Sequence, residues 1–147
     1  MLIDNDRFMH VLTETAHHQH IVTSCVKMDA PDDLERLRQF VHDHFIKFRK
    51  CRSTLVRICP SNYFFREITD QSILNNMVEL HTEAMDDDEV HAFQARNHPL
   101  WHEIENGRPL VKIWIVPSRE PKVAYIVLKF YHQISDGTSM LQVLSLM

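Results

Sequence analysis

Apolar positions along this chain change their period from one segment to the next, and those changes predict its elements. Between Asp4 and His17, Phe8, Val11, Leu12 and Ala16 fall near one helical face, with Asp4 or Asn5 placed to cap the start. Gln19–Met28 alternates loosely through Ile21, Val22, Cys25, Val26 and Met28, a strand pattern. Asp29-Ala30-Pro31-Asp32-Asp33 then predicts a helix start, with proline in the first turn and acids where the positive end of the helix dipole favours them. Leu34, Leu37, Phe40, Val41, Phe45 and Phe48 continue a helical stripe as far as Phe48. Lys47, Arg49 and Lys50 put cations in its last turn.

Ser53–Ile58 and Tyr63–Ile68 predict two strands joined through the turn residues Cys59-Pro60-Ser61-Asn62. Thr69–Met85 reads two ways, because Ile73, Leu74, Met77, Val78 and Leu80 suit either a helix or an irregular apolar segment. Asp86-Asp87-Asp88-Glu89 predicts a further helix start, the helix running to Arg96 and stopped by Asn97-His98-Pro99. Glu105-Asn106-Gly107-Arg108-Pro109-Leu110-Val111-Lys112-Ile113 leads into a strand through Val116, and the loop Pro117–Pro121 joins that strand to another over Lys122–Tyr131. So short a link between two strong strands predicts an antiparallel hairpin. Val123–Phe130 is rich in β-branched and aromatic residues on both faces, as in a strand buried on both sides. Tyr131-His132-Gln133-Ile134-Ser135-Asp136-Gly137 follows, and Thr138–Leu144 then shows helical spacing without a breaker.

A strand therefore ends in a histidine, a loop turns at Asp136-Gly137, and a helix begins. With period two, His132 shares a face with Ala124, Ile126, Leu128 and Phe130. An imidazole at the mouth of an apolar strand suits general-base work, its unperturbed pKa of about 6.5 lying near working pH. Gly137 is one of two glycines in the chain, with Gly107, and lets the backbone turn where a side chain would obstruct. Asp136 can cap the helix, bind backbone N–H groups or pair with a buried cation.

The His132-x-x-x-Asp136-Gly137 pattern at a strand-to-helix turn resembles the active-site motif of the chloramphenicol-acetyltransferase-like acyltransferases. That superfamily includes condensation domains of peptide synthetases, alcohol acyltransferases and wax ester synthase/diacylglycerol acyltransferases. The resemblance implies His132 as the base that deprotonates the acceptor, Asp136 as a chiefly structural acid and Gly137 as the turn residue. Many members carry a second histidine just before the catalytic one, where this chain has Tyr131. The Gly107-x-Pro109-Leu110 lead into a strand, the hairpin and then the motif follow the same order as in condensation-type enzymes. A strand, a long helix and Phe48-Arg49-Lys50-Cys51-Arg52 resemble the family's first half.

The fold implied is an α/β two-layer sandwich, a mixed sheet with helices packed on it, in one domain over residues 1–147 that corresponds to the N-terminal half of the family fold. The family's second half, which would supply the other tunnel wall and part of the oxyanion and donor contacts, is expected to come from a partner half-domain, a second copy or a protein complex. The implied activity is acyl transfer from acyl-CoA or a carrier-bound pantetheine thioester to an alcohol or amine, with no tightly bound cofactor. Two other readings stand beside it. One is a catalytically inactive subunit with a structural or interaction role in a larger assembly, and the other is a binder of acyl thioesters or lipids.

Composition narrows these readings. A hydrophobic content of 44% over 147 residues is ample for a core. A net charge of −4 gives no electrostatic reason to expect a nucleic-acid partner. Cys25, Cys51 and Cys59 lack zinc-site spacing and read as reduced, mostly buried thiols. No apolar run is long enough to span a bilayer and no signal peptide is readable, so an intracellular location is expected, in the cytoplasm or the mitochondrion.

The remaining polar clusters read as structural. His17-His18-Gln19-His20 and His42-Asp43-His44 lack the i, i+4 spacing that aligns two imidazoles on a helix, and read as solvated histidines. His98 and His102 have that spacing, but Pro99 interrupts it. No metal site is therefore expected. Trp101 and Trp114 read as core, Asp86–Glu89 as a helix start. Ser135, Thr138 and Ser139 flank the motif, and neither serine has the glycine-elbow context of a nucleophile.

Overall fold

The computed structural model describes residues 21–59, 62–96 and 107–131. The expected helices over Asp4–His17 and Thr138–Leu144 lie outside the described residues, as does the motif from His132 onward. The described chain runs β1 (Ile21–Asp29), α1 (Leu34–Phe45), β2 (Ser53–Cys59), β3 (Asn62–Glu67), α2 (Gln71–Asn75), β4 (Val78–Leu80), α3 (Asp87–Arg96), β5 (Val111–Pro117) and β6 (Val123–Tyr131).

Four strands form a mixed sheet in the order β1-β6-β5-β4. The expected hairpin is present: β5 and β6 pair antiparallel, with Ile113 opposite Leu128 and Ile115 opposite Ile126. β1 pairs antiparallel along the other side of β6, from Ile21 opposite Tyr131 to Asp29 opposite Val123. β4 adds to β5 in parallel. In the β5–β6 turn, Lys122 has a positive φ of 59°, and the Ala30 N–H donates to its carbonyl at 2.8 Å, tying the end of β1 to the hairpin.

β6 lies between two strands and is covered on both faces, which accounts for its nearly continuous apolar sequence. Ala124, Ile126, Leu128 and Phe130 pack with Leu37, Val41 and Phe45 of α1. Tyr125 and Val127 pack on the other side with Val90 and Phe93 of α3, and with Trp114 and Val116 of β5. Burying a large apolar side chain contributes about 1.5–3 kcal/mol, while an isolated helix the length of α1, 12 residues, is marginal in water. Packing on β6 and β5 therefore holds α1 in place.

α1 begins later and ends earlier than the periodicity predicts. Asp33 is its N-cap, its carboxylate accepting from the Arg36 N–H at 3.1 Å, so Pro31 precedes the helix instead of lying in its first turn. The helix ends at Phe45, and the Phe48 N–H bonds the Phe45 carbonyl in a tighter turn. Side chains of the following segment take up carbonyls beyond the helix end: Arg52 Nη1 donates to Ile46 O at 2.9 Å and Ser53 Oγ to Arg49 O at 2.7 Å. Lys47, Arg49 and Lys50 consequently lie in the turns after the helix, while His42 and His44 occupy its last turn.

β2 and β3 pair as expected but form a separate two-stranded sheet, with Leu55 packed into the larger core cluster. The two-way segment Thr69–Met85 resolves into α2, capped by Asp70 through the Ser72 N–H at 2.9 Å, and β4. β4 has three residues and pairs with β5 across 35 positions of chain, Val78 lying opposite Ile113, a contact that no local period announces.

Candidate active site

Hydrogen bonds gather the ends of three elements around the end of β6. The Tyr131 N–H donates to Leu110 O at 3.0 Å, and the Leu110 N–H donates to Ser53 O at 3.3 Å. Ile21, the first residue of β1, is the partner of Tyr131 on the opposite side. The start of β1, the approach to β5 and the start of β2 thus surround the last described residue before His132. Tyr131 is fully buried and belongs to the larger core cluster, so the position before His132 is a packing position.

Alternation along β6 holds through Phe130, with even-numbered residues on the α1 face as the sequence predicts. A slip of one residue would exchange the α1 and α3 faces and bury the wrong set, so packing on both sides sets the register in which the strand reaches position 132. His132, Ser135, Asp136, Gly137, Thr138 and Ser139 themselves lie outside the described residues.

Lys129 is the residue of this region that sequence reading passed over. It is fully buried on the α3 face, opposite Lys112 of β5 and Thr23 of β1. Its ammonium donates to the carbonyl of Gln94, near the end of α3, and lies 5.8 Å from the centre of the Trp114 ring. Burial lowers its pKa to about 8. Lys112 stands 5.6 Å from the same ring and is held by Asn76 O and by Glu79, each at 2.7 Å. The signal in the sequence was a lone lysine inside an apolar strand. Trp114 meets Phe93 edge-on at 5.6 Å and is core, as expected, with two cations against its ring.

At the opposite end of the sheet, Asp86–Glu89 starts α3 as predicted. Asp86 accepts from the Glu89 N–H and Glu89 from the Asp86 N–H, both at 2.9 Å, a reciprocal capping box. Asp87 accepts from the Tyr125 hydroxyl at 2.6 Å and pairs with Lys27 at 3.1 Å. The Tyr125 hydrogen bond, followed by the Lys27 contact, holds the Asp87 carboxyl below its ordinary range. Glu120, in the β5–β6 turn, joins Lys27 at 2.7 Å, and Arg119 beside it reaches Asp86 at 3.2 Å and Glu89 at 2.6 Å.

His42 departs from the solvated reading. It is 5% exposed, with Nδ1 3.3 Å from Asp43 Oδ1. The reason is its place on the helix: one position after buried Val41, it falls on the flank that meets the sheet. His44 is half-buried, edge-on to Phe45 and Phe48 at 5.7 and 5.5 Å. His17, His18, His20, His98, His102 and Trp101 lie outside the described residues. Cys51 is a free, buried thiol whose pKa burial pushes up to about 12, and Cys25 is a half-buried free thiol. Among the described residues no group of three or more His, Cys, Asp or Glu side chains is placed to hold a metal ion.

The mixed sheet and the helices packed on it make a fold similar to that of condensation domains and of a wax ester synthase. Among solved structures, the chain resembles the first condensation domain of the calcium-dependent antibiotic synthetase in complex with a substrate analogue. The TM-score is 0.74 at 15% identity, covering 97% of this chain and 34% of that one. The tallysomycin biosynthesis protein TlmII matches with a TM-score of 0.73 at 12% identity over 98% of this chain and 33% of its own. The wax ester synthase/diacylglycerol acyltransferase from Marinobacter aquaeolei VT8 matches with a TM-score of 0.67 at 15% identity, over 96% of this chain and 36% of its own. The chain therefore spans about a third of the length of the solved structures it matches. No protein-family profile matches it, and no curated protein does. Among the described residues no helix is long and apolar enough to cross a membrane.

Proposed function

We propose that this chain is the motif-bearing part of an acyltransferase that moves an acyl group from a coenzyme A or carrier-pantetheine thioester to an alcohol or amine. The observation that carries the proposal is the match in fold to condensation domains and to a wax ester synthase over nearly the whole described chain. With it goes a fully sheathed β6 that ends one residue before His132. His132 takes the proton of the acceptor hydroxyl or amine, and the freed oxygen or nitrogen attacks the thioester carbonyl. The thiolate then leaves and recovers that proton from the imidazolium, so the products are an ester or amide and a free thiol. Asp136 and Gly137 shape the turn that aims the imidazole, and Ser135, Thr138 and Ser139 flank it without acting as nucleophiles. Oxyanion and donor contacts come from a second half-domain, a second copy or a partner protein, because positioning and a preorganised oxyanion site carry much of the barrier reduction. We place the protein inside the cell, in the cytoplasm or the mitochondrion.

The test is thioester consumption by the purified protein, alone and with its co-purifying proteins, in the wild type and in His132→Ala. Loss of a general base costs about 10²–10⁴-fold in rate; turnover that survives the substitution would refute the role of His132. A second reading is a non-catalytic subunit of a larger assembly, favoured by the buried, core-packed Tyr131 where many relatives have a histidine. Native mass spectrometry that finds the chain exclusively in a large complex, with no turnover in either variant, would select that reading.

A further inference from the structure

The two edges of the larger sheet end differently. β4, at one edge, is three residues long, and Arg38 Nη1 reaches from α1 to Val78 O at 3.4 Å. β1, at the other, is nine residues long, contains no proline and pairs with β6 over its whole length without a bulge. The Ala30 N–H donates to Lys122 O, one pair beyond Asp29 and Val123, so even-numbered residues of β1 turn their peptide groups toward β6. The peptide groups of Ile21, Thr23, Cys25, Lys27 and Asp29 therefore point away from the sheet, and among the described residues no strand pairs with them.

Proteins blunt such an edge with proline, a bulge or a projecting charge. The strand's one cation, Lys27, is instead tied to Asp87 at 3.1 Å and to Glu120 at 2.7 Å. Val22 and Met28 lie at the margin of the larger core and Val26 is 36% exposed, so the α1 face of this edge is apolar apart from Ser24. The strand also complements itself. Laid antiparallel on a copy over its full length, it places Cys25 on the two-fold axis, Val22 opposite Met28, Thr23 opposite Lys27 and Ser24 opposite Val26. No charge then meets a like charge directly across the ladder. The odd-numbered residues, whose peptide groups point outward, face one another as a hydrogen-bonded ladder needs. An axis through Lys27 would oppose two ammonium groups, and every other register shortens the ladder.

We propose that β1 is an assembly edge at which two copies of this chain join antiparallel, continuing the four-stranded sheet of each across a two-fold axis at Cys25. Such a contact uses the same surface on both copies and closes as a dimer. It covers Val26 and satisfies the outward peptide groups of both strands. Ile21, the partner of Tyr131 within its own copy, comes to lie opposite Asp29 of the other. The two Ile21 residues then stand about 27 Å apart along the ladder, at ~3.4 Å per residue. The dimer therefore keeps the two β6 ends apart and is independent of the acyl-transfer reading.

Sedimentation of the purified full chain over a range of concentrations, with a short bismaleimide cross-linker applied to the same samples, tests the edge. The wild type shifts from monomer to dimer as concentration rises, and peptide mapping finds Cys25 of one copy joined to Cys25 of the other. Across a hydrogen-bonded pair the two Cα atoms are about 5.5 Å apart, within cross-linking reach. Cys25→Ser abolishes the cross-link and leaves the dimer. Val26→Lys sets a lysine on the edge, diagonal to its own symmetry mate, and leaves a monomer at concentrations where the wild type is dimeric, with far-UV circular dichroism unchanged. Phe40→Lys, at the 51% exposed aromatic on α1, leaves the dimer intact. A chain that stays monomeric at the highest concentration it reaches overturns the proposal. So does a dimer that survives Val26→Lys, is lost with Phe40→Lys, or cross-links without Cys25. None of these outcomes bears on His132, which thioester turnover judges separately.

Discussion

Lys129 donates its buried ammonium to the backbone carbonyl of Gln94, joining the centre of the sheet to the C-terminal turn of α3. A helix C-terminus carries partial negative charge, which favours a cation there. Desolvation acts in the other direction and lowers the Lys129 pKa to about 8, against an ordinary value of 10.5.

The pH dependence of stability follows from that shift. Between about pH 8 and 10.5 the unfolded chain holds the Lys129 proton while the folded chain has released it, so this residue makes stability rise with pH across that window. Below pH 8 the charge is present in both states and its burial cost is borne in full. Lys129→Met removes the titration, and apolar replacement of a buried charge is commonly neutral or stabilising. Chemical denaturation of both proteins from pH 7 to pH 10 is expected to show the wild type gaining on the variant by about 1–3 kcal/mol. A difference constant over that range would show that Lys129 does not titrate as its burial requires.

Asp87 links α3 to β6 through the Tyr125 hydroxyl and to β1 through Lys27. Its lowered pKa adds stability above the unfolded carboxyl's ordinary 3.8, and that stability is lost as pH falls through the folded value. Tyr125→Phe removes the larger of the two causes. Carbon-detected NMR titration is expected to show the Asp87 carboxyl moving up toward its ordinary value in the variant. An unmoved titration curve would assign the shift to Lys27 alone.

Ile126 is 2% exposed at the centre of the α1 face of β6. Ile126→Ala is expected to cost about 2–5 kcal/mol, the transfer term plus the cavity. Against a typical domain stability of about 5–15 kcal/mol, urea denaturation should show the midpoint falling sharply. A change below about 1 kcal/mol would mean that α1 collapses onto the gap.

Much of the fold was legible because the signals were local. The both-faces apolar run of Val123–Phe130 announced a strand covered on two sides, and the short link after β5 announced the hairpin. Asp86 and Glu89 announced the start of α3 by their spacing, since a capping box needs nothing beyond its own turn. Gly107 and Arg66 were visible as residues, yet the approach of the Arg66 guanidinium to the Gly107 backbone was not, because β3 and the approach to β5 meet across some forty positions.

What the sequence by itself determined is therefore the order of elements outside Thr69–Met85, the face pattern of β6 up to Phe130, and the His132-x-x-x-Asp136-Gly137 string that follows. All three depend on neighbours within a few residues. Tertiary structure alone decided that β4 joins β5 in parallel, that α1 stops at Phe45, that His42 and Lys129 are buried, and that the start of β2 stands beside the end of β6. The reason is that burial and strand pairing are set by partners distant in the chain, and no period of two or 3.6 residues records which distant partner will cover a given side chain.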